Sequence, residues 1–234
     1  MKDFEKKHLF TLLLRSLLAG LLVLTSLQAQ ETVAADDRAF YREDQIYLGA
    51  SFMILESNQE RFKPQGLSRH FQWGVVRDIP LSASGRFATG IGLGMGFERY
   101  TTNLIPLDVG SYSLPELNST PVDPFFISVQ SLEFPLTLRW RGSSPTDYAF
   151  WRVYGGITFQ WNYRIKAKQN SEVIALSDEL DTFGASANLS FGFNTWNFYL
   201  AYRLTPFLKS DGVNEQALPI ELTPIKVGLI FYLL

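Results

Sequence analysis

The ionisable residues of this 234-residue chain fall into two groups whose types and spacing could do chemistry. Glu98, Glu133, Arg164, Arg203 and Lys226 mix both signs. Brought together away from water they would have to pair, forming a polar network, because an unpaired buried charge is costly. Hydrated, the same set could line a narrow ion path. Arg86, Arg139, Arg141 and Arg152 are all cationic, with only Asp78 and Asp147 near them in sequence. They could form a basic mouth that docks an anionic partner, or be solvated and partly paired with those aspartates. His70 is the sole histidine once a leader carrying His8 is removed. Lipid hydrolysis or acyl transfer needs a nucleophile activated by a base, and no convincing pair of Ser and acid partners is placed beside His70 in sequence. It reads as an interfacial or loop residue. No His or Cys cluster has metal-ligand spacing, and no glycine motif cradles phosphate. The sequence therefore offers no catalytic, cofactor-binding or metal-ligating residues.

Whether these side chains meet depends on the strands that carry them. From Phe87 to Phe97 the odd positions are Phe, Thr, Ile, Leu, Met and Phe, while Arg86, Ala88, Gly90, Gly92, Gly94, Gly96 and Glu98 take the even ones. Successive strand side chains point to opposite faces, so one face is an apolar stripe and the other small or polar. The glycines have strand spacing and leave room inside. The pattern recurs, giving eight strands near 45–55, 68–78, 85–100, 127–141, 150–166, 181–193, 196–208 and 222–234. Connections alternate long and short, with the second long one the longest and a tight Asn194-Thr195 turn. That asymmetry is expected of a barrel crossing an outer membrane, short turns on the periplasmic side and long loops outside. Trp73, Trp140, Trp151, Trp161 and Trp196 all take the apolar parity. The topology predicts Trp140, Trp151 and Trp196 at the periplasmic interface, and Trp73 and Trp161 nearer the outer one. Pro135 removes a ladder donor inside the fourth strand and predicts a bulge or a gap in pairing. An eight-stranded interior is narrow enough for side chains to fill.

Composition narrows the classes further. Lys2, Lys6 and Lys7 precede an apolar run, and Ala29 offers a small residue before Gln30, so residues 1–29 read as a signal peptide. Residues 30–44 read as a flexible segment and 45–234 as the barrel domain. Without the leader the chain keeps 17 basic and 21 acidic residues, a net charge of −4, because four of the 21 and two of the 23 are removed. Such a balance argues against nucleic-acid binding. The absence of cysteine excludes disulfides, a thiol nucleophile and a lipoprotein anchor.

Three further segments carry a resemblance. Ile46-Tyr47-Leu48-Gly49-Ala50, Leu132-Glu133-Phe134-Pro135-Leu136 with the basic end Arg139-Trp140-Arg141, and Arg152-Val153-Tyr154-Gly155-Gly156 resemble strands of the PorT-like outer-membrane β-barrel family. Lys226-Val227-Gly228-Leu229-Ile230-Phe231 is similar to its closing strand, although the chain ends on Leu234 rather than an aromatic residue. The resemblance implies an outer-membrane location and a link to type IX protein secretion.

The expectation is an all-β protein: an eight-stranded antiparallel up-and-down transmembrane β-barrel after a signal peptide, non-enzymatic, with both mature termini periplasmic. Its expected partners are outer-membrane lipids and other envelope or secretion proteins. A narrow channel and a lipid-modifying enzyme are the alternatives.

Overall fold

The computed structural model describes residues 44–233 apart from 83, 109–110, 117–121, 143–149, 171, 175–179 and 212–218. The leader, Asp147 and most of the segment 30–44 lie outside the described residues. Among the described residues twelve strands form: β1 Gln45–Ser57, β2 Ser68–Pro80, β3 Phe87–Thr102, β4 Ile105–Asp108, β5 Ser111–Ser113, β6 Phe125–Arg141, β7 Trp151–Gln169, β8 Glu172–Ile174, β9 Phe183–Phe193, β10 Trp196–Arg203, β11 Leu208–Asp211 and β12 Pro219–Leu233. Eight of them pair antiparallel in the order β1-β2-β3-β6-β7-β9-β10-β12, and β12 closes on β1. Three of the four long connections contain strands among their described residues. They carry the β4–β5 hairpin, a β8 strand on β7 and a β11 strand on β12. The two-residue turn between β9 and β10 places Asn194 at φ 54°, a left-handed position that asparagine tolerates.

Following one rung around the wall fixes the barrel's shape. Trp161 pairs with Leu132, then Met95, Trp73, Leu48, Phe231, Trp196 and Phe193, and the rung returns to β7 at Trp151. The return is displaced by ten residues, 161 minus 151. With a rise near 3.3 Å per residue and strands near 4.8 Å apart, that shear tilts the strands by about 41°. Each residue then climbs roughly 2.5 Å along the axis, and each rung step shifts about 3 Å. Trp140, Trp151 and Trp196 fall within about 6 Å of one level by this geometry. Trp161 lies at the other edge of the apolar belt, but Trp73 sits mid-belt, roughly 16 Å above Trp151, rather than at an interface.

Two irregularities interrupt the wall. Pairing of β3 with β6 stops after Ile91–Leu136 and resumes in the same register at Gly94–Glu133, while Pro135 keeps its partner Thr158 on β7. The missing donor thus opens a gap without a bulge. The bulge lies higher, where Gln130 pairs with Arg164 but Ser131 pairs with Asn162. Tyr163 is the extra residue, and it reverses the parity of everything after it. This corrects the placement of Arg164, which points outward and is exposed.

Candidate functional site

The inward parity fills the lumen in layers. At the short-turn end, Arg139 Nη1 lies 2.5 Å from Asp78 Oδ1, and Arg141 Nη1 lies 2.7 Å from Asp78 Oδ2. Arg139 also donates to Gln45 Oε1 at 3.0 Å and stacks over the Tyr154 ring at 4.3 Å. Arg141 Nε donates to the Gly85 carbonyl at 2.8 Å. Both arginines and Asp78 are buried. Arg152 is buried too, over the Phe150 ring, whereas Arg86 is exposed in the turn before β3. The four arginines therefore do not make an open basic mouth. Asp78 bridges two of them, and its neighbours shut that face from solvent. The sequence brought Asp78 near only as a possible counter-ion, because its role depends on the β2–β3–β6 register.

Above this layer stand Tyr47, Tyr154, Tyr199 and Tyr232, packed with Val76, Ala201 and Ile230. Small residues on β3 make the space. A Cβ on Gly94 would lie 2.1 Å from Tyr47 Oη, one on Gly96 2.5 Å from Glu133 Oε1, and one on Gly90 2.6 Å from Arg139 Nε. The stripe of alternate glycines is the complement of large polar side chains reaching across from β1 and β6.

The next layer is ionisable. Lys226 Nζ lies 2.6 Å from Glu98 Oε1, and the Tyr100 hydroxyl donates to Glu98 Oε2. Gln160 Nε2 donates to Glu133 Oε1 at 3.0 Å, and Arg203 Nη1 reaches Gln160 Oε1 at 3.5 Å. His70 Nε2 is 3.5 Å from Glu133 Oε1. So Glu98, Glu133, Arg203 and Lys226 do meet, two acids with two bases, while Arg164 stays outside. His70 is the residue that sequence reasoning misplaced: it is wholly buried in this layer, not at an interface or in a loop. Its even position on β2, the parity of Gln72 and Asp78, was the available signal.

His70, Glu98 and Glu133 have donor atoms within 4.8 Å of one another, which is the spacing of a metal cage. The donors come from three adjacent strands, so no sequence spacing could announce them. Their chemistry does not fit a cation. Lys226 already neutralises Glu98, Arg203 stands beside Gln160, and a divalent ion would leave the layer with uncompensated positive charge. Ion pairing is what the arrangement does.

At the long-loop end an apolar cluster closes the lumen. Met53, Leu55, Tyr100, Phe125, Ile127, Val129 and Leu222 from the wall pack with Phe62, Leu104, Tyr112, Leu114, Phe207 and Leu208 from the connections. Tyr100 stacks on Phe207 at 4.4 Å between ring centres. Between the layers, a void of about 30 Å³ lies among Tyr47, Gln72, Pro135, Tyr199 and Tyr232, room for roughly one water molecule.

The family model described as outer membrane protein beta-barrel domain matches residues 28–211. Among solved structures, the chain is similar to Ail, the attachment invasion locus protein of Yersinia pestis, crystallised with the heparin analogue sucrose octasulfate. Identity is 10%, coverage is 82% of this chain and 99% of that one, and the TM-score is 0.36. It is also similar to OprG from Pseudomonas aeruginosa, at 8% identity, with 82% and 97% covered and a TM-score of 0.35. No curated protein matches the chain.

Proposed function

We propose a role for this chain from the premise that it belongs to the outer membrane protein β-barrel domain family, and so resides in an outer membrane. It acts as a non-enzymatic envelope component, a plugged barrel that anchors a structured set of connections for contact with other envelope proteins. The long connections face outward and both mature termini face the periplasm. One observation carries this reading: among the described residues the lumen holds buried ion pairs at two levels and an apolar cap above them. A continuous water path would be needed for a channel, and among the described residues buried ion pairs at two levels and an apolar cap stand across the lumen. An acyl-transfer site would need a reachable base, and His70 is enclosed.

The finer reading, supported by the PorT-like segments Leu132–Arg141 and Arg152–Gly156, is that the partners belong to type IX secretion. Two measurements test the role. Planar bilayers holding the purified barrel should stay electrically silent; unit conductance steps that vanish in Arg203→Ala or Lys226→Ala would replace the anchor with a channel. Proteomics of a deletion strain should show cargo retained in the periplasm and missing from the medium. An unchanged secretome would remove the secretion link while leaving the anchoring role.

A further inference from the structure

The outer wall carries a charged patch that the filled interior does not explain. Arg69 on β2, Arg99 on β3, and Arg164, Lys166 and Lys168 on β7 all point outward and are exposed. Arg69 and Arg99 are direct cross-strand partners, Arg99 pairs with Ser128, and Ser128 pairs with Lys166. Arg164 faces Gln130, which faces Phe97, one outward position below Arg99. With the tilt derived above, Arg69, Arg99 and Arg164 lie within about 5 Å of one height, and Lys166 and Lys168 climb roughly 5 and 10 Å higher.

The level they share is the upper edge of the apolar belt. Directly beneath are Phe71, Phe97, Trp73, Met95, Leu132 and Trp161, all on the outward parity. The Arg99 guanidinium stacks over Phe126 at 4.4 Å, which holds it against the wall. Among the described residues none of the five basic side chains is in an ion pair. Of the nearby acids, Asp123 and Glu172 lie past Lys168 near the strand tips, exposed Asp181 precedes β9 beside the Tyr163 bulge but is in no ion pair with Arg164, and Glu56 and Glu221 lie on β1 and β12. Like charges placed side by side destabilise a strand pair, so an anion between Arg69 and Arg99 would stabilise their pairing. The bulge at Tyr163 is what brings Arg164 into the patch, since an unbroken strand would turn it inward.

We propose that this arc, Arg69, Arg99, Arg164 and Lys166 above an aromatic and aliphatic wall, binds a phosphorylated glycolipid of the outer leaflet, of the lipopolysaccharide class. The guanidiniums take the headgroup phosphates, Ser128 and Gln130 offer hydrogen bonds between them, and the apolar residues below take the acyl chains. Guanidinium suits this task because it presents a planar fork to phosphate and stays charged. The assignment rests on the long connections facing outward, as proposed above.

The test titrates purified lipopolysaccharide into the detergent-folded full chain, read by fluorescence of the lipid-facing Trp73 and Trp161. Each basic residue at an anionic lipid surface is worth about fivefold in affinity, so Arg69→Gln/Arg99→Gln/Arg164→Gln should weaken binding roughly a hundredfold. Arg99→Gln alone, which keeps most of the patch if the triple variant folds poorly, should weaken it about fivefold. A change below twofold in Arg99→Gln, or equal saturation by phosphatidylglycerol micelles, would overturn the glycolipid assignment. Orientation is read separately. The chain lacks cysteine, so Val173→Cys in β8 should be the single site labelled by an impermeant maleimide on intact cells. Failure of that labelling would refute the outward orientation, whatever the titration gives.

Discussion

Replacing Asp78 by Asn should be the most damaging isosteric change at the short-turn end. Its two oxygens lie 2.5 Å from Arg139 Nη1 and 2.7 Å from Arg141 Nη1, and the side chains of all three residues are at most 1% exposed. Asparagine keeps the shape and one acceptor but removes the charge that both guanidiniums share. Breaking a buried pair from one side leaves an uncompensated buried charge and costs about 3–5 kcal/mol. With two arginines on one carboxylate, the upper part of that range is expected. The assay is urea unfolding from lipid vesicles, followed by tryptophan fluorescence and by the gel mobility of folded against unfolded barrel. Adding Arg141→Met to Asp78→Asn should recover part of the loss, and the double-mutant cycle should show a coupling of at least about 1 kcal/mol. A cost below about 1 kcal/mol, typical of exposed pairs, would refute this reasoning. It would mean that water reaches this layer, and that Arg139 and Arg141 are available for docking after all.

Neighbouring glycines on β7 should respond differently to the same methyl. Gly156→Ala puts a Cβ 2.1 Å from the Leu136 carbonyl oxygen, a backbone atom, and should cost about 1–3 kcal/mol. Gly155→Ala meets Leu189 Cδ1 at an ordinary 3.6 Å and should unfold at the same urea concentration as the parent. Glu98→Gln strands buried Lys226, so it should destabilise by about 3–5 kcal/mol, and Lys226→Met in that background should restore much of it; no recovery would mean that the ion pair is not what Glu98 supplies. Leu93→Arg, facing lipid near mid-belt, should cost roughly 2–4 kcal/mol in vesicles. A cost for Leu93→Arg no larger than for Leu93→Ala would place that face outside the hydrocarbon.

The barrel was legible in the sequence because alternation is a local property. Each of Phe87, Ile91, Leu93 and Phe97 reports which way it points from its own position, and lipid demands the same answer from every strand. Strand count, closure order and the apolar belt follow from repeating that reading. The grouping of Glu98, Glu133, Arg203 and Lys226 followed as well, since inward charges in a narrow tube have only one another. Arg164 did not follow, because one inserted residue at Tyr163 reverses parity and leaves no mark in the pattern of residue types. His70 joining Glu133, and Asp78 bridging Arg139 and Arg141, were equally hidden. Those contacts depend on which rung of one strand faces which rung of the next. Pairing and shear are set jointly by all eight strands at closure, so the sequence by itself determined which side of the wall each regular position takes. Only the closed tertiary structure decided which charges stand at the same height, inside the lumen and on the lipid face alike.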